Sequence, residues 1–317
     1  MDYLLTFFVF SLMLFLYLHI YYHLKTGDDL EVYTLNTPSK DKLEDMCALR
    51  QPVLFKYNNE LILENFNTNK MTKEHGVFDV GIRKKDDDLY LPLLLTEAID
   101  LFRNDKGENY FTEKNYDLLQ ETGLHKTLRN NDYYLRPPMV SNCVYDYCSG
   151  SKKSFTPLRY SLNYRNYLYV TEGKIKIKLI SPVFSKYLYE KKDYENFEFM
   201  SPINPWDIQE KYKKDFGKLK FIEIEMKAND IIYIPAYWWY SIQYIDLSSI
   251  VMFKYRTYMN TLAILPHIII RLLQKSNTKW DIVNKIRATV QKSELWIDKQ
   301  TEEGNHTNQE EVSLGKS

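Results

Sequence analysis

Side chains able to hold a metal or move a proton are thinly scattered in this chain. His19 and His23 lie in an apolar N-terminal run, while His75, His125 and His267 fall singly on expected loops and helices. A lone histidine with no second donor close by reads as a surface or satisfied core group rather than a ligand. No H-x-D/E pair, P-loop or G-x-G-x-x-G occurs, which removes the common metal, phosphate and dinucleotide signatures. Cys143 and Cys148 have no second pair to complete a tetrahedral zinc site. With Cys47 they form no disulfide framework, which suits a reducing compartment.

The elements around these residues begin with residues 3–24, YLLTFFVFSLMLFLYLHIYYHL, which carry no Asp, Glu, Lys or Arg. As a helix rising ~1.5 Å per residue, this run spans about 33 Å, enough to cross a hydrocarbon core of roughly 30 Å. A cleaved signal peptide would have a basic start, a shorter apolar stretch and small residues at its end. Here the start is Met1-Asp2, and bulky His19, Tyr21, Tyr22 and His23 occupy the end. A single-pass N-terminal anchor is therefore expected. Lys25, Lys40 and Lys42 follow it and no basic residue precedes it, which predicts a cytosolic soluble domain by the positive-inside rule. The Asn305-His306-Thr307 sequon matters only if the tail is lumenal.

Acidic and basic residues balance at 42 each, so no global field draws nucleic acid. Residues 25–38 read as a polar connector, and Ser39 as the N-cap of a helix through KDKLEDMCALR. Pro52–Tyr57 reads as a buried strand, and Lys84–Asp88 as a solvated loop. Thr112 is expected to cap a helix over TEKNYDLLQETGL that Gly123 ends. From about residue 133 strands dominate: 174–179 and 220–226 alternate apolar and charged residues, and 231–235 is continuously apolar. Residues 257–275 and 278–298 read as helices, the first divided at Pro266. Residues 300–317 are polar enough to be disordered.

Two segments about 70 residues apart carry a resemblance. The first is Ser154-Phe155-Thr156-Pro157-Leu158-Arg159-Tyr160-Ser161, followed by Asn166-Tyr167-Leu168-Tyr169-Val170-Thr171-Glu172-Gly173. The second is Ala228-Asn229-Asp230-Ile231-Ile232-Tyr233-Ile234-Pro235-Ala236-Tyr237-Trp238-Trp239-Tyr240. They resemble the cupin-like, JmjC-type proteins, closest to the asparaginyl-hydroxylase branch of the Fe(II)/2-oxoglutarate oxygenases. There the first segment reads T-P-L-H-x-D and the second G-D-x-x-Y-I-P-x-x-W-W-H. The resemblance implies a mainly β fold with flanking helices (α+β), a double-stranded β-helix barrel behind the transmembrane helix. The expected organisation is a membrane helix at 3–24, a linker at 25–38 and the cupin-like domain at 39–256. C-terminal helices at 257–298 and a disordered tail at 299–317 follow.

The family holds iron with two His and one carboxylate. The positions matching them here are Arg159, Ser161 and Tyr240. A guanidinium has no lone pair to donate, a serine hydroxyl is neutral, and a phenol ionises only near pH 10. The resemblance thus implies a degenerate metal site, and neither Fe(II) nor 2-oxoglutarate is expected as a cofactor. The lysine that would meet 2-oxoglutarate falls at or near Ile175, and a slip of one residue would supply Lys176 instead. Thr156, Asn166, Lys176 and Trp238 are the expected pocket residues, although Trp238-Trp239 also reads simply as barrel core. Arg159 reads either as an internal ion pair or as the anchor for an anionic ligand or a partner's carboxylate. The leading expectation is a membrane-anchored binding or structural module, a pseudoenzyme with a possible homodimer surface over 257–298. The alternative is an active protein hydroxylase with displaced ligands.

Overall fold

A computed structural model of the chain describes residues 2–85 and 90–276. Its strands in chain order are β1 (Tyr33–Leu35), β2 (Val53–Lys56), β3 (Asp79–Lys84), β4 (Tyr90–Leu94), β5 (Tyr110–Thr112), β6 (Val140–Gly150), β7 (Arg159–Tyr160), β8 (Arg165–Glu172), β9 (Lys174–Ile180), β10 (Lys191–Asp193), β11 (Glu198–Met200), β12 (Phe221–Lys227), β13 (Asp230–Pro235), β14 (Trp239–Tyr244) and β15 (Ser248–Thr257). Among the described residues these make two sheets. The larger runs β1-β2-β13-β8-β15-β6-β5-β3-β4, the smaller β10-β11-β7-β14-β9-β12. Successive strands cross between them: β6, β8, β13 and β15 belong to the larger sheet, and β7, β9, β12 and β14 to the smaller. This winding is that of a double-stranded β-helix. The corner between β8 and β9 needs Gly173, whose φ is 78°; a Cβ there would approach the Ser248 Oγ to 2.4 Å.

Alternation along the strands sorts side chains into separate cores. Leu168, Val170, Ile232, Ile234, Ile250 and Met252 of the larger sheet meet Ile175, Ile177, Leu179, Tyr240, Ile242 and Tyr244 of the smaller one. The opposite face of the larger sheet sends Tyr167, Tyr169, Tyr233, Phe253 and Tyr255 into a second core, shared with residues of the helices Lys40–Ala48 and Leu95–Asn104. A third core lies outside the smaller sheet and takes Trp239 with Leu158 and Ile203. The two adjacent tryptophans thus fill different cores, Trp238 between the sheets and Trp239 outside them.

The helix Asp2–Leu24 matches the apolar run, and residues 3–24 are long and apolar enough to cross a membrane. Ser39 caps the helix Lys40–Ala48 as expected, its Oγ accepting from the Lys42 N–H. Pro266 follows a break at Ile264, between the helix Tyr258–Ala263 and a helical stretch at 265–276. By contact, residues 194–197 and the described residues from 266 onward form a small unit of their own. Within it the Tyr194 hydroxyl meets His267 Nδ1 at 3.1 Å.

Two expectations need correction. The stretch 25–38 is not merely a connector: it contains β1, paired in parallel with β2, and Leu30 and Val32 pack on the inter-sheet core. Thr112 ends β5 instead of capping a helix, its hydroxyl donating to the Gly81 carbonyl. The helix begins at Tyr116, after a turn in which Lys114 takes a left-handed φ of 62° and the buried Asp146 carboxylate accepts from the N–H groups of Lys114 and Asn115. Asp86–Asp88, the expected helix 278–298 and the tail 299–317 lie outside the described residues.

Leu168 is wholly buried between the sheets, whereas Val77 is 78% exposed. Leu168→Ala is expected to lower the unfolding free energy by about 2–5 kcal/mol, and Val77→Ala by less than about 0.5 kcal/mol. Urea unfolding followed by tryptophan fluorescence measures both.

Candidate functional site

Strand pairing sets Arg159 of β7 directly opposite Tyr240 of β14. The guanidinium lies 5.8 Å from the Tyr240 ring centroid, and the phenol ring itself packs in the inter-sheet core. Ser161, two residues on, is half-buried and turned to its own loop. Its Oγ accepts from the Asn163 backbone N–H at 3.2 Å and from the Asn163 side chain at 3.0 Å. Its carbonyl accepts from the Tyr237 N–H.

What meets Arg159 is a carboxylate. Glu113, just past β5, is 2% exposed and takes the Arg159 Nη2 on Oε2. Its other oxygen faces Arg83 Nη1 of β3 at 3.3 Å and accepts from the Tyr90 hydroxyl at 3.2 Å. Glu198 of β11 lies 3.7 Å from Arg159 Nη1 and 2.9 Å from Lys114 Nζ. Lys254 of β15 and Asp146 of β6 approach to 4.0 Å. Burial alone would push the Glu113 carboxyl up, but the Arg159 charge and hydrogen bond, helped by Arg83, overcome this and hold it at about 2. Burial works against the Arg159 charge as well, yet the facing Glu113 keeps the guanidinium firmly protonated.

The donors at these positions do not suit a divalent cation, since Arg159 offers charge of the wrong sign and no lone pair. Among the described residues, no three His, Cys, Asp or Glu side chains come together as a ligand set.

The other expected pocket residues are dispersed. Thr156 is buried, accepts from the Ile242 N–H, and lines a cavity of about 280 Å³ with Arg83, Lys85 and Lys191. Asn166 donates to the Ile234 carbonyl at 3.2 Å and leaves its Oδ1 buried without a partner. Trp238 fills the inter-sheet core and donates its indole N–H to the Gly27 carbonyl at 2.9 Å. Lys176 lies apart from these residues. It stands on the outer face of β9, 3.3 Å from Glu223 on β12, because the register opposes Ile175 to Met226 and Tyr244 and points Ile175 inward. No slip brings a lysine to the inner face at this place.

Sequence reasoning missed Glu113, Arg83 and Glu198. Glu113 looked like an acidic residue in a helix's first turn. The available signal was Arg159 itself, since a buried guanidinium requires a counter-charge.

Over residues 57–260 the sequence matches the cupin-like domain family. The chain belongs to that family. No curated protein matches it. The matched span of the cupin-like domain contains Arg83, Glu113, Arg159, Ser161, Glu198 and Tyr240, so the charged cluster lies within the family fold.

The cluster makes the domain's stability depend on pH. The folded Glu113 pKa lies below its ordinary 4.5, so its contribution is complete above that value and is lost as pH falls towards about 2. That contribution is on the order of 3 kcal/mol at neutral pH. Glu113→Gln removes the buried carboxylate that Arg83 and Arg159 share and is expected to cost about 3–5 kcal/mol at pH 7. It should also flatten the acid limb of a denaturation series from pH 7 to pH 3. Equal stability of the variant at pH 7 would show the cluster to be structurally idle.

Proposed function

We propose that this cupin-like protein is held at a membrane by its N-terminal helix and acts as a binding or structural module, without iron-dependent hydroxylation. The observation that carries the reading is the Arg159–Glu113 ion pair. It stands where the resemblance to the oxygenases would place a metal ligand, and its cation would repel Fe(II). The outward Lys176 and inward Ile175 support the same reading for the cosubstrate. Arg159 already has a buried carboxylate, which favours an internal ion pair over a free anion anchor. The cavity that Thr156 lines, with Arg83, Lys85 and Lys191 around it, is the other place for a partner's side chain.

Membrane attachment is supported by the exposed apolar flank of the helix: Leu4, Phe7, Phe8 and Phe10 are each more than 60% exposed. Lys25 just beyond the span supports a domain on the cytosolic side. The balanced net charge gives no support to nucleic-acid binding. A homodimer over 257–298 draws support from Ile269, Leu272 and Leu273, all exposed on the helical stretch.

Purified full-length protein loaded with Fe(II) and 2-oxoglutarate is expected to retain far less than stoichiometric iron and to release no succinate. Stoichiometric iron with 2-oxoglutarate-dependent succinate would establish the hydroxylase reading instead. Arg159→His with Ser161→Asp is expected to leave iron binding unrestored, because Tyr240→His is needed for a third ligand. Alkaline carbonate should leave the protein in the membrane pellet, and release into the supernatant would remove the anchor.

A further inference from the structure

The C-terminal turns of the apolar helix do not stand clear of the domain. His23 is 7% exposed and packs edge-on to Tyr164, with ring centroids 5.0 Å apart. Arg50 donates to the Tyr22 and Lys25 carbonyls and so caps the helix end. Beside this junction lies a cavity of about 500 Å³, walled by Leu18 and Tyr22 of the helix and by Met139, Tyr164 and Met259 of the domain. Its polar lining is His19, His23, Glu44, Thr257 and, as its strong cation, Arg165, the first residue of β8.

Arg165 is 2% exposed, and only part of its guanidinium is used. Nη2 holds Glu44 at 2.5 Å, while Nε and Nη1 are buried with no hydrogen-bond partner. Unpartnered buried donors on a charged group cost free energy. A fork of N–H groups matches the oxygens of a phosphate. The location specifies what carries that phosphate. Leu18 to Leu24 cover the last ~9 Å of the helix, and the interfacial layer of a bilayer is roughly 5–8 Å thick on each side. Tyr21 and Tyr22 stand at the same level, where aromatic residues favour the interface. Leu14 and Leu18, each about half exposed, continue the apolar wall towards the bilayer centre.

We infer that this cavity binds an anionic glycerophospholipid, its phosphate on the free edge of Arg165 and its acyl chains along the Leu14–Leu18 face. The inference rests on the membrane reading above and adds a lipid preference to it.

The test uses the full chain in nanodiscs of phosphatidylcholine containing phosphatidic acid, with retained lipid identified by native mass spectrometry. Phosphatidic acid should be enriched roughly tenfold over its share of the bilayer. Arg165→Gln should abolish the enrichment. Met139→Glu adds a carboxylate at a wall residue that is 73% exposed, so it leaves the core intact and should also reduce enrichment. Glu44→Gln frees the third donor and should increase it. Inorganic phosphate should not displace the lipid; displacement would reassign the cavity as a simple anion site. Retention of both lipids in proportion to the bilayer, or enrichment unchanged in both Arg165→Gln and Met139→Glu, overturns the inference while leaving the anchor standing. Failure of the chain to enter nanodiscs at all would overturn the anchor itself.

Discussion

The buried carboxylate of Glu113 is the constraint around which one mouth of the barrel is arranged. Its two oxygens face cations from different sheets, Arg83 on β3 of the larger and Arg159 on β7 of the smaller. Removing any one of the three charges breaks a buried ion pair, so the three residues are coupled as a unit. The turn that presents Glu113 is itself held by Asp146, which accepts the next two backbone N–H groups. The paired charges at this place favour rigidity over exchange.

The tyrosine content follows a related logic. Tyr145, Tyr167, Tyr169, Tyr233 and Tyr255 line the helix-covered face of the larger sheet, where aliphatic side chains would serve equally well for burial. Each brings a hydroxyl that needs a partner. Tyr145 and Tyr255 donate to the buried Asp132 at 2.7 and 2.8 Å, and Arg136 completes that group. Tyr169 donates to the Tyr57 carbonyl. This core therefore has directional bonds as well as apolar contact, which favours one packing over near alternatives.

Much of the fold was legible because alternation is a local signal. Residues 174–179, 220–226 and 231–235 declared β9, β12 and β13 by their own periodicity, and the paired motifs set β7 near β14. What was not legible depended on contacts distant in sequence. β1 is three residues of mixed polarity that become a strand only because β2 lies beside them. Thr112 satisfies the local rule for a helix cap, but pairing with β3 and β6 overrides it. Glu113 and Arg159 are 46 residues apart, and no spacing rule connects them. For Lys176 the alternation alone already excluded the inner face; the supposed slip ran against it.

The bond from Arg50 to the end of the apolar helix has a mechanical consequence. Gly27 donates its N–H to the Arg50 carbonyl and receives the Trp238 indole on its own, so the chain leaving the helix is fastened within three residues. Were the helix embedded in a bilayer as proposed, the domain would have no tether on which to swing. It would move as a fixed headpiece, holding one orientation towards the surface. A partner in the same bilayer would then meet it already oriented, as though at high local concentration. A partner arriving from solution would find only the side turned away from the lipid.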